Sequence, residues 1–107
     1  MIRTFLQFDL VEGGADALVE LFRRHRVLET SVAQDGCISA ELTLDEAGRT
    51  ATVTAAWSDG AAYDRWTSRS DRGELADELN QVLATPIGEA TVGEIYDVAW
   101  TAAGSPA

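Results

Sequence analysis

The feature that most constrains the fold is a change from strand-like to helix-like sequence at Ser58. Residues 50–57 form a run rich in β-branched and apolar side chains, and a helical pattern begins directly after it. Ser58 is suited to cap this helix, because its hydroxyl can accept a hydrogen bond from the first turn, where the charge of Asp59 is also favourable. Tyr63 and Trp66 then share one side of the helix. The stretch therefore predicts a strand joined to a helix that turns two aromatic rings toward a sheet.

The first strand is predicted from the strict alternation of side chains over residues 2–10. One face carries Ile2, Thr4, Leu6, Phe8 and Leu10, and the other carries Arg3, Phe5, Gln7 and Asp9. Large apolar groups occur on both faces, so we expect the sheet to be covered on both sides. Because helices on one face leave the other bare, a second copy of the chain is the simplest cover. The pattern predicts a homodimer.

The remaining elements follow from changes in hydrophobic period and from turn residues. We expect a helix over residues 15–34, followed by a strand over 37–44, a hairpin loop at 45–48 and a returning strand over 49–57. The helix capped by Ser58 comes next, and a second helical piece follows it with Leu75, Leu79, Val82 and Leu83 inward. The last strand is expected over residues 91–100. This order predicts an α+β, ferredoxin-like βαββαβ domain over residues 1–100, with a split second helix and an antiparallel four-stranded sheet. Residues 101–107 are expected to form a flexible tail.

Composition excludes several classes of function. The formal net charge of −10 disfavours nucleic acid and anionic membrane surfaces as partners. A single His25 rules out a multi-histidine metal site, and a single Cys37 rules out an internal disulfide. No glycine fingerprint for a flavin or nicotinamide is present, so we expect neither cofactor nor metal. The chain shows no charged and apolar leader and no apolar run long enough to cross a membrane, which favours the cytoplasm.

Four residues are candidates for one cavity between sheet and helices. Gln7 would offer an amide to a substrate carbonyl, next to Phe5. His25 lies on the apolar stripe of the first helix, where it is either a satisfied interior group or the base that takes a phenolic proton. Tyr63 and Trp66 would form a flat wall with a hydroxyl donor, or else belong to the core as ordinary aromatics. Asp9 and Glu41 could act as bases only with raised pKa values, and Cys37 is expected to be a small buried hydrophobe.

The arrangement of three motifs resembles the antibiotic biosynthesis monooxygenase family. These motifs are a Gly-Gly pair after the first strand, the Gln-Asp-Gly-Cys sequence at residues 34–37, and Trp57-Ser58 followed by Ala62, Tyr63 and Trp66. The resemblance implies a dimeric α+β barrel with a site between sheet and helices in each protomer. Some members oxidise aromatic polyketide phenols or anthrones with molecular oxygen and no cofactor. Others degrade haem through an asparagine, a tryptophan and a histidine. Gln7 and Trp66 stand near the first two positions, but residues 75–79 contain no histidine, which argues against haem.

We therefore expect a cofactor-independent monooxygenase that oxidises an aromatic polyketide-type intermediate in secondary-metabolite biosynthesis. Its partners would be an aromatic small molecule and molecular oxygen. His25 and Gln7 would be catalytic, whereas Tyr63, Trp66 and Phe5 would bind the substrate. Two alternatives stay open, namely a polyketide cyclase that uses the same pocket without oxygen, and a non-catalytic dimeric module that binds a small molecule.

Overall fold

The computed structural model describes residues 1–68, 75–85 and 93–104 of the 107-residue chain. The strands are β1 (Ile2–Asp9), β2 (Cys37–Leu44), β3 (Thr50–Trp57) and β4 (Gly93–Asp97), and the helices are α1 (Gly14–Arg24), α2 (Val27–Val32), α3 (Gly60–Thr67) and α4 (Ala76–Val82). The strands form one antiparallel sheet in the order β2-β3-β1-β4, with β1 in its interior. This confirms the predicted α+β, ferredoxin-like fold with a divided second helix.

The alternation of β1 separates a helix-covered face of the sheet from an open face. On the covered face, Phe8 is 4% exposed and packs with residues of α1, β3 and α4. The main core cluster consists of Phe8, Leu10, Leu18, Leu21, Phe22, Ala51, Leu79 and Leu83. On the open face, Gln7 and Asp9 are exposed. Burial of this apolar cluster, rather than helix propensity, is therefore what holds the helices on one side of the sheet.

The C-terminal end of α4 is attached to the end of β1 by backbone hydrogen bonds. The N–H of Val11 donates to the carbonyl of Val82 at 3.0 Å, and the N–H of Ala84 donates to the carbonyl of Asp9 at 2.7 Å. An isolated bridge between Leu10 and Leu83 lies between these bonds. These contacts fix α4 beside α1 and so define one wall of the space above the sheet.

The single helix predicted over residues 15–34 is wrong, because the helix is interrupted at His25 and Arg26. The residue Arg26 adopts the left-handed conformation with φ 51°, which no continuous right-handed helix can contain. The N–H of His25 still donates to Leu21, and the N–H of Arg26 donates to Arg23 as α1 ends. Helix α2 then starts at Val27 and packs against β2, whereas α1 packs beside α4.

The predicted cap of the helix after β3 is wrong by one residue. The carboxylate of Asp59, not the hydroxyl of Ser58, accepts the hydrogen bond from the N–H of Ala62 at 2.9 Å. The backbone N–H of Ser58 instead donates to the carbonyl of Gly36 at 2.7 Å. Gly36 has φ 87°, and a Cβ there would lie 2.6 Å from the Cβ of Ala62. A glycine is therefore required where the loop before β2 touches the start of α3.

The last strand is shorter than the predicted span of residues 91–100. Strand β4 covers Gly93–Asp97, Trp100 lies beyond it with 90% of its surface exposed, and residues 91–92 lie outside the described ranges. Residues 105–107 of the predicted tail lie outside them too. Among the described residues, no helix combines the length and the apolar character that crossing a membrane requires.

Candidate functional site

A cavity of about 290 Å³ lies between the covered face of the sheet and the helices. Its floor is formed by side chains of β1, β2 and β3, and its walls by helical residues together with His25 and Leu75. The lining consists of Thr4, Leu6, Phe8, Phe22, His25, Val27, Leu28, Thr30, Ser31, Ala40, Val53, Ala55, Trp57, Tyr63, Trp66, Leu75 and Leu79. The lining is thus mainly apolar and aromatic with a few polar groups, which is the usual character of a small-molecule site.

The structure brings three predicted site residues together and separates two others from them. His25, Tyr63 and Trp66 all line this cavity. Gln7 and Phe5 lie on the open face, in a separate shallow depression that also includes Thr52, Glu94 and Tyr96. The prediction that Gln7 and Phe5 share the cavity is therefore wrong.

The physical reason for this correction is the two-residue period of β1. Leu6 faces the helices, so its neighbours Phe5 and Gln7 must face the other way. The Gln7 side chain is exposed, and water can satisfy its amide without a protein partner.

The positions of Gln7 and Trp66 also bear on the haem alternative. The resemblance placed these two residues near two of the positions that haem-degrading members of the family use. Since these two side chains lie on opposite faces of the sheet, the residues present do not fit that haem site.

The strand-to-helix change at residue 58 builds the aromatic wall of the cavity. Trp57, the last residue of β3, is 1% exposed, and its Nε1–H donates to the hydroxyl of Thr4 at 3.2 Å. The ring of Tyr63 lies against it, with centroids 5.6 Å apart and planes inclined at 60°. Tyr63 and Trp66 are both half-buried. Within the described parts of the chain, the Tyr63 hydroxyl makes no hydrogen bond, so it is available to donate one to a bound ligand.

His25 lies at the mouth of the cavity rather than in the interior. Its side chain is 38% exposed, because α1 ends one residue before it. The Nε2 atom of His25 lies 3.2 Å from Oε2 of Glu78 on α4, and Nη2 of Arg24 donates to the same oxygen at 2.5 Å. These contacts lower the pKa of Glu78, with the hydrogen bond to His25 as the largest cause and the charge of Arg24 contributing. Glu78 is therefore a carboxylate at neutral pH.

Sequence reasoning missed the polar side of the cavity. Thr30 and Ser31 line it from α2, and the Ser31 hydroxyl is bonded to the carbonyl of Leu28 at 2.7 Å. The only sequence signal for these two residues was the polar character of the short segment that forms α2. The prediction of one long helix did not treat this segment as a separate element. Glu78 was also missed, and no local signal could have found it, because its bond to His25 joins two helices that are distant in sequence.

Cys37, at the start of β2 as predicted, is half-buried, so it is less buried than expected. Partial burial raises the pKa of its thiol, and hydrogen bonds with Ser31 and Ser39 offset this only in part. The thiol is therefore protonated at neutral pH and a poor nucleophile. Among the described residues, no group of three or more His, Cys, Asp or Glu side chains is arranged to hold a metal ion.

Solved structures of similar fold come from several bacteria. The chain is 13% identical to a proposed antibiotic biosynthesis monooxygenase from Deinococcus radiodurans, with a TM-score of 0.77 and coverage of 99% of this chain and 100% of that one. Rv0793 from Mycobacterium tuberculosis is 16% identical, with a TM-score of 0.74 and coverage of 95% and 98%. SnoaB, a cofactor-independent oxygenase from Streptomyces nogalater, is 17% identical, with a TM-score of 0.71 and coverage of 94% of each chain. At these identities the similarity establishes the fold alone.

Sequence comparison identifies the family. No curated protein matches the chain. A sequence model of the family described as antibiotic biosynthesis monooxygenase matches residues 1–78, which contain β1 to α3 and all the cavity-lining residues but Leu79. Membership supports a monooxygenase-type role for the chain. The chain belongs to the antibiotic biosynthesis monooxygenase family.

Proposed function

We propose that the protein is a cofactor-independent monooxygenase that oxidises an aromatic, polyketide-type intermediate in the cavity above the sheet. The observation that carries this proposal is the combination of an aromatic, largely apolar cavity with one imidazole at its mouth. The cavity volume of about 290 Å³ lies near the lower end of the range for small-molecule sites, which is roughly 300–1,000 Å³, and so favours a compact fused-ring substrate.

Two related findings support oxygen chemistry. The chain belongs to a monooxygenase family, and its fold is that of SnoaB, which is described as a cofactor-independent oxygenase. In such a reaction the substrate supplies the electrons, so the protein needs only a base, a donor for the developing oxyanion and a dry cavity. The described site offers candidates for each of these.

The proposed reaction is the conversion of an anthrone-type methylene to a quinone carbonyl. A base removes one proton from the acidic ring carbon, and the resulting carbanion transfers an electron to oxygen. Recombination of the two radicals and protonation give a carbon hydroperoxide, which loses water to form the carbonyl. One oxygen atom enters the product, the other leaves as water, and the two hydrogen atoms of the methylene leave in that water.

We assign the base to His25 and the oxyanion donor to Tyr63. His25 lines the cavity and is the only histidine of the chain, and histidine is the residue type most suited to exchange a proton near neutral pH. The hydroxyl of Tyr63 is free of hydrogen bonds within the described residues and can donate to the phenolate oxygen of the substrate. Trp57 and Trp66 would contact the flat faces of the rings.

The test is oxygen uptake with a panel of hydroxylated anthrones, corrected for their spontaneous oxidation. We expect uptake that depends on the protein, and one labelled atom in the quinone when ¹⁸O₂ is supplied. His25→Ala should reduce the rate at least about a hundredfold, the usual contribution of general base catalysis. The matched control is Arg23→Ala, an exposed position on α1 outside the cavity lining, which should keep the wild-type rate.

Other outcomes would contradict the oxygenase assignment. A ring-closed product without oxygen uptake would identify the protein as a polyketide cyclase. Tight binding of the aromatic compounds without any turnover would instead identify a binding module.

A further inference from the structure

We propose that Glu78 is a positioning residue, which holds His25 as the tautomer whose Nδ1 atom is free to accept the substrate proton. This inference rests on the proposed oxygenase function and adds a residue from another helix to the site. Glu78 does not line the cavity, so it would act through the imidazole and not on the substrate.

The contact between the two side chains determines which ring nitrogen of His25 carries the proton. Oε2 of Glu78 lies 3.2 Å from Nε2 of His25. An ionised carboxylate can only accept a hydrogen bond, so Nε2 must carry the proton in this contact. In the neutral ring the other nitrogen, Nδ1, then holds the free lone pair, and only that nitrogen can act as a base. Within the described part of the chain, Nδ1 makes no hydrogen bond.

A second contact holds the carboxylate in place. Nη2 of Arg24 donates to the same Oε2 at 2.5 Å. Arg24 belongs to the last turn of α1, next to His25, whereas Glu78 lies on α4. The three side chains therefore connect α1 and α4 at the cavity mouth. Because the C-terminal end of α4 is bonded through its backbone to the end of β1, Glu78 is presented from an anchored helix.

The contact is partly open to water, which limits its effect on stability but not its effect on the ring. The side chains of His25 and Glu78 are 38% and 42% exposed. Exposed ion pairs contribute little to folding. A free imidazole at this position would rotate and exchange tautomers, so the bond restricts the ring to one orientation and one basic nitrogen. Removing the bond between Glu78 and His25 should therefore slow proton abstraction, whereas the stability of the protein and its affinity for the substrate should change little.

The test compares Glu78→Ala and Glu78→Gln with the matched control Asp77→Ala. Asp77 lies in the same first turn of α4, carries the same charge and is exposed, but it makes no bond to His25. Since His25 is the only histidine, its two ring nitrogens give one unambiguous pair of ¹⁵N signals. These signals are recorded at about pH 8, where an ordinary imidazole is neutral. The same variants are assayed for kcat and KM by oxygen uptake.

In the wild type we expect the signals of the tautomer protonated at Nε2. Glu78→Ala should shift them toward a mixture of tautomers and lower kcat about tenfold or more, with KM nearly unchanged. Glu78→Gln keeps an oxygen that can accept from Nε2, so it should restore the tautomer and most of kcat. Asp77→Ala should change neither measurement.

Two results would overturn the proposal. One is a tautomer in Glu78→Ala that is the same as in the wild type, and the other is an altered tautomer with an unaltered kcat. The ¹⁵N measurement needs no substrate, so it distinguishes failure here from failure of the proposed function. A wild type that consumes no oxygen refutes the oxygenase, whereas the tautomer still shows whether Glu78 orients the ring.

Discussion

Trp57 and Trp66 are expected to differ in function, since the first is a core residue and the second lines the cavity. Trp57 is 1% exposed and bonded to Thr4, so Trp57→Ala should lower the free energy of unfolding by about 3–5 kcal/mol. Trp66 is half-buried at the cavity, so Trp66→Ala should cost clearly less and weaken the binding of an aromatic ligand more. Urea unfolding and titration calorimetry on both variants test this. Equal losses of stability would place Trp66 in the core instead.

The hydroxyl of Tyr63 gives a second prediction. Tyr63→Phe removes one oxygen atom that has no hydrogen bond within the described residues, and the ring stays against Trp57. Stability should change by no more than about 0.5 kcal/mol. If the hydroxyl donates to the oxyanion, kcat should fall about a hundredfold. A variant that keeps the wild-type kcat in the oxygen-uptake assay would remove Tyr63 from the mechanism.

At the scale of residues, the sequence predicted the helical candidates better than the strand candidates. The spacing of Tyr63 and Trp66 put both on the inner side of their helix, and the structure has both at the cavity. For β1, alternation separated two faces but left open which one the helices cover. The face with Leu6 and Phe8 is the more apolar one, and hydrophobic burial selects it. The prediction that Gln7 lines the cavity placed it on this helix-covered face, whereas it lies on the open face.

At the scale of elements, the interruption between α1 and α2 is the feature that local pattern could not predict. Both pieces carry apolar residues at helical spacing, and the two patterns join without a glycine or proline between them. The left-handed conformation of Arg26 costs about 1–2 kcal/mol for a residue with a Cβ. Tertiary packing of α1 on the core and of α2 on β2 offsets this cost, and packing is not visible in local periodicity.

This interruption predicts an unusual response to glycine. Arg26→Gly removes the left-handed strain and should raise the free energy of unfolding by about 0.5–1 kcal/mol, despite the larger entropy of the unfolded chain. The control, Arg23→Gly, changes an exposed arginine of the same charge in the right-handed part of α1, and should lower stability by about 1 kcal/mol. Urea unfolding measures both. Destabilisation by Arg26→Gly would contradict the assigned backbone conformation.

The hairpin between β2 and β3 gives a prediction about pH. Hydrogen bonds from the backbone N–H groups of Thr50 and Arg49 lower the pKa of Asp45 in the folded protein. Its contribution to stability is therefore complete at neutral pH, above the unfolded pKa, and is lost as the pH falls through the lowered folded pKa. The destabilisation caused by Asp45→Ala, measured by urea unfolding, should be largest near pH 7 and should shrink toward pH 3.

The control for the hairpin is Asp45→Asn, which keeps an acceptor oxygen but does not titrate. Its difference in stability from Asp45→Ala should not vary with pH in this range. A destabilisation by Asp45→Ala that is the same at both ends of the range would mean that the two backbone bonds do not depend on the charge of Asp45.

At the scale of the whole molecule, the expected reason for dimerisation needs revision. The open face of the sheet is not a broad apolar surface. Phe5 and Tyr96 pack edge to face there with centroids 5.8 Å apart, but Gln7, Thr52 and Glu94 surround them. Large exposed apolar side chains occur at both edges of the sheet. Ile95 and Tyr96 lie on β4 and Trp100 just beyond it, with Met1 beside them, and Trp100 has the largest exposed fraction, 90%. Ile38 and Leu44 lie on β2 at the opposite edge. In the described part of the chain, β4 is also an edge strand with one unpaired side.

These exposed groups predict a homodimer that uses the β4 side of the sheet. An edge strand with exposed apolar side chains favours association with another chain. Trp100 is 90% exposed, so Trp100→Ser should weaken the dimer about tenfold or more, the usual effect of losing a central aromatic anchor. The control is Ile38→Ser, since Ile38 is 57% exposed on β2 at the opposite edge of the sheet, and it should leave the dimer unchanged.

The measurement is light scattering over a range of protein and salt concentrations. At micromolar concentration the wild type should have about twice the 11.5 kDa mass of one chain. Each chain carries a net charge of −10, so the two copies repel each other and added salt should strengthen the dimer by screening that repulsion. A mass of one chain would refute the dimer, and dissociation by Ile38→Ser but not by Trp100→Ser would show that the opposite edge of the sheet forms the interface.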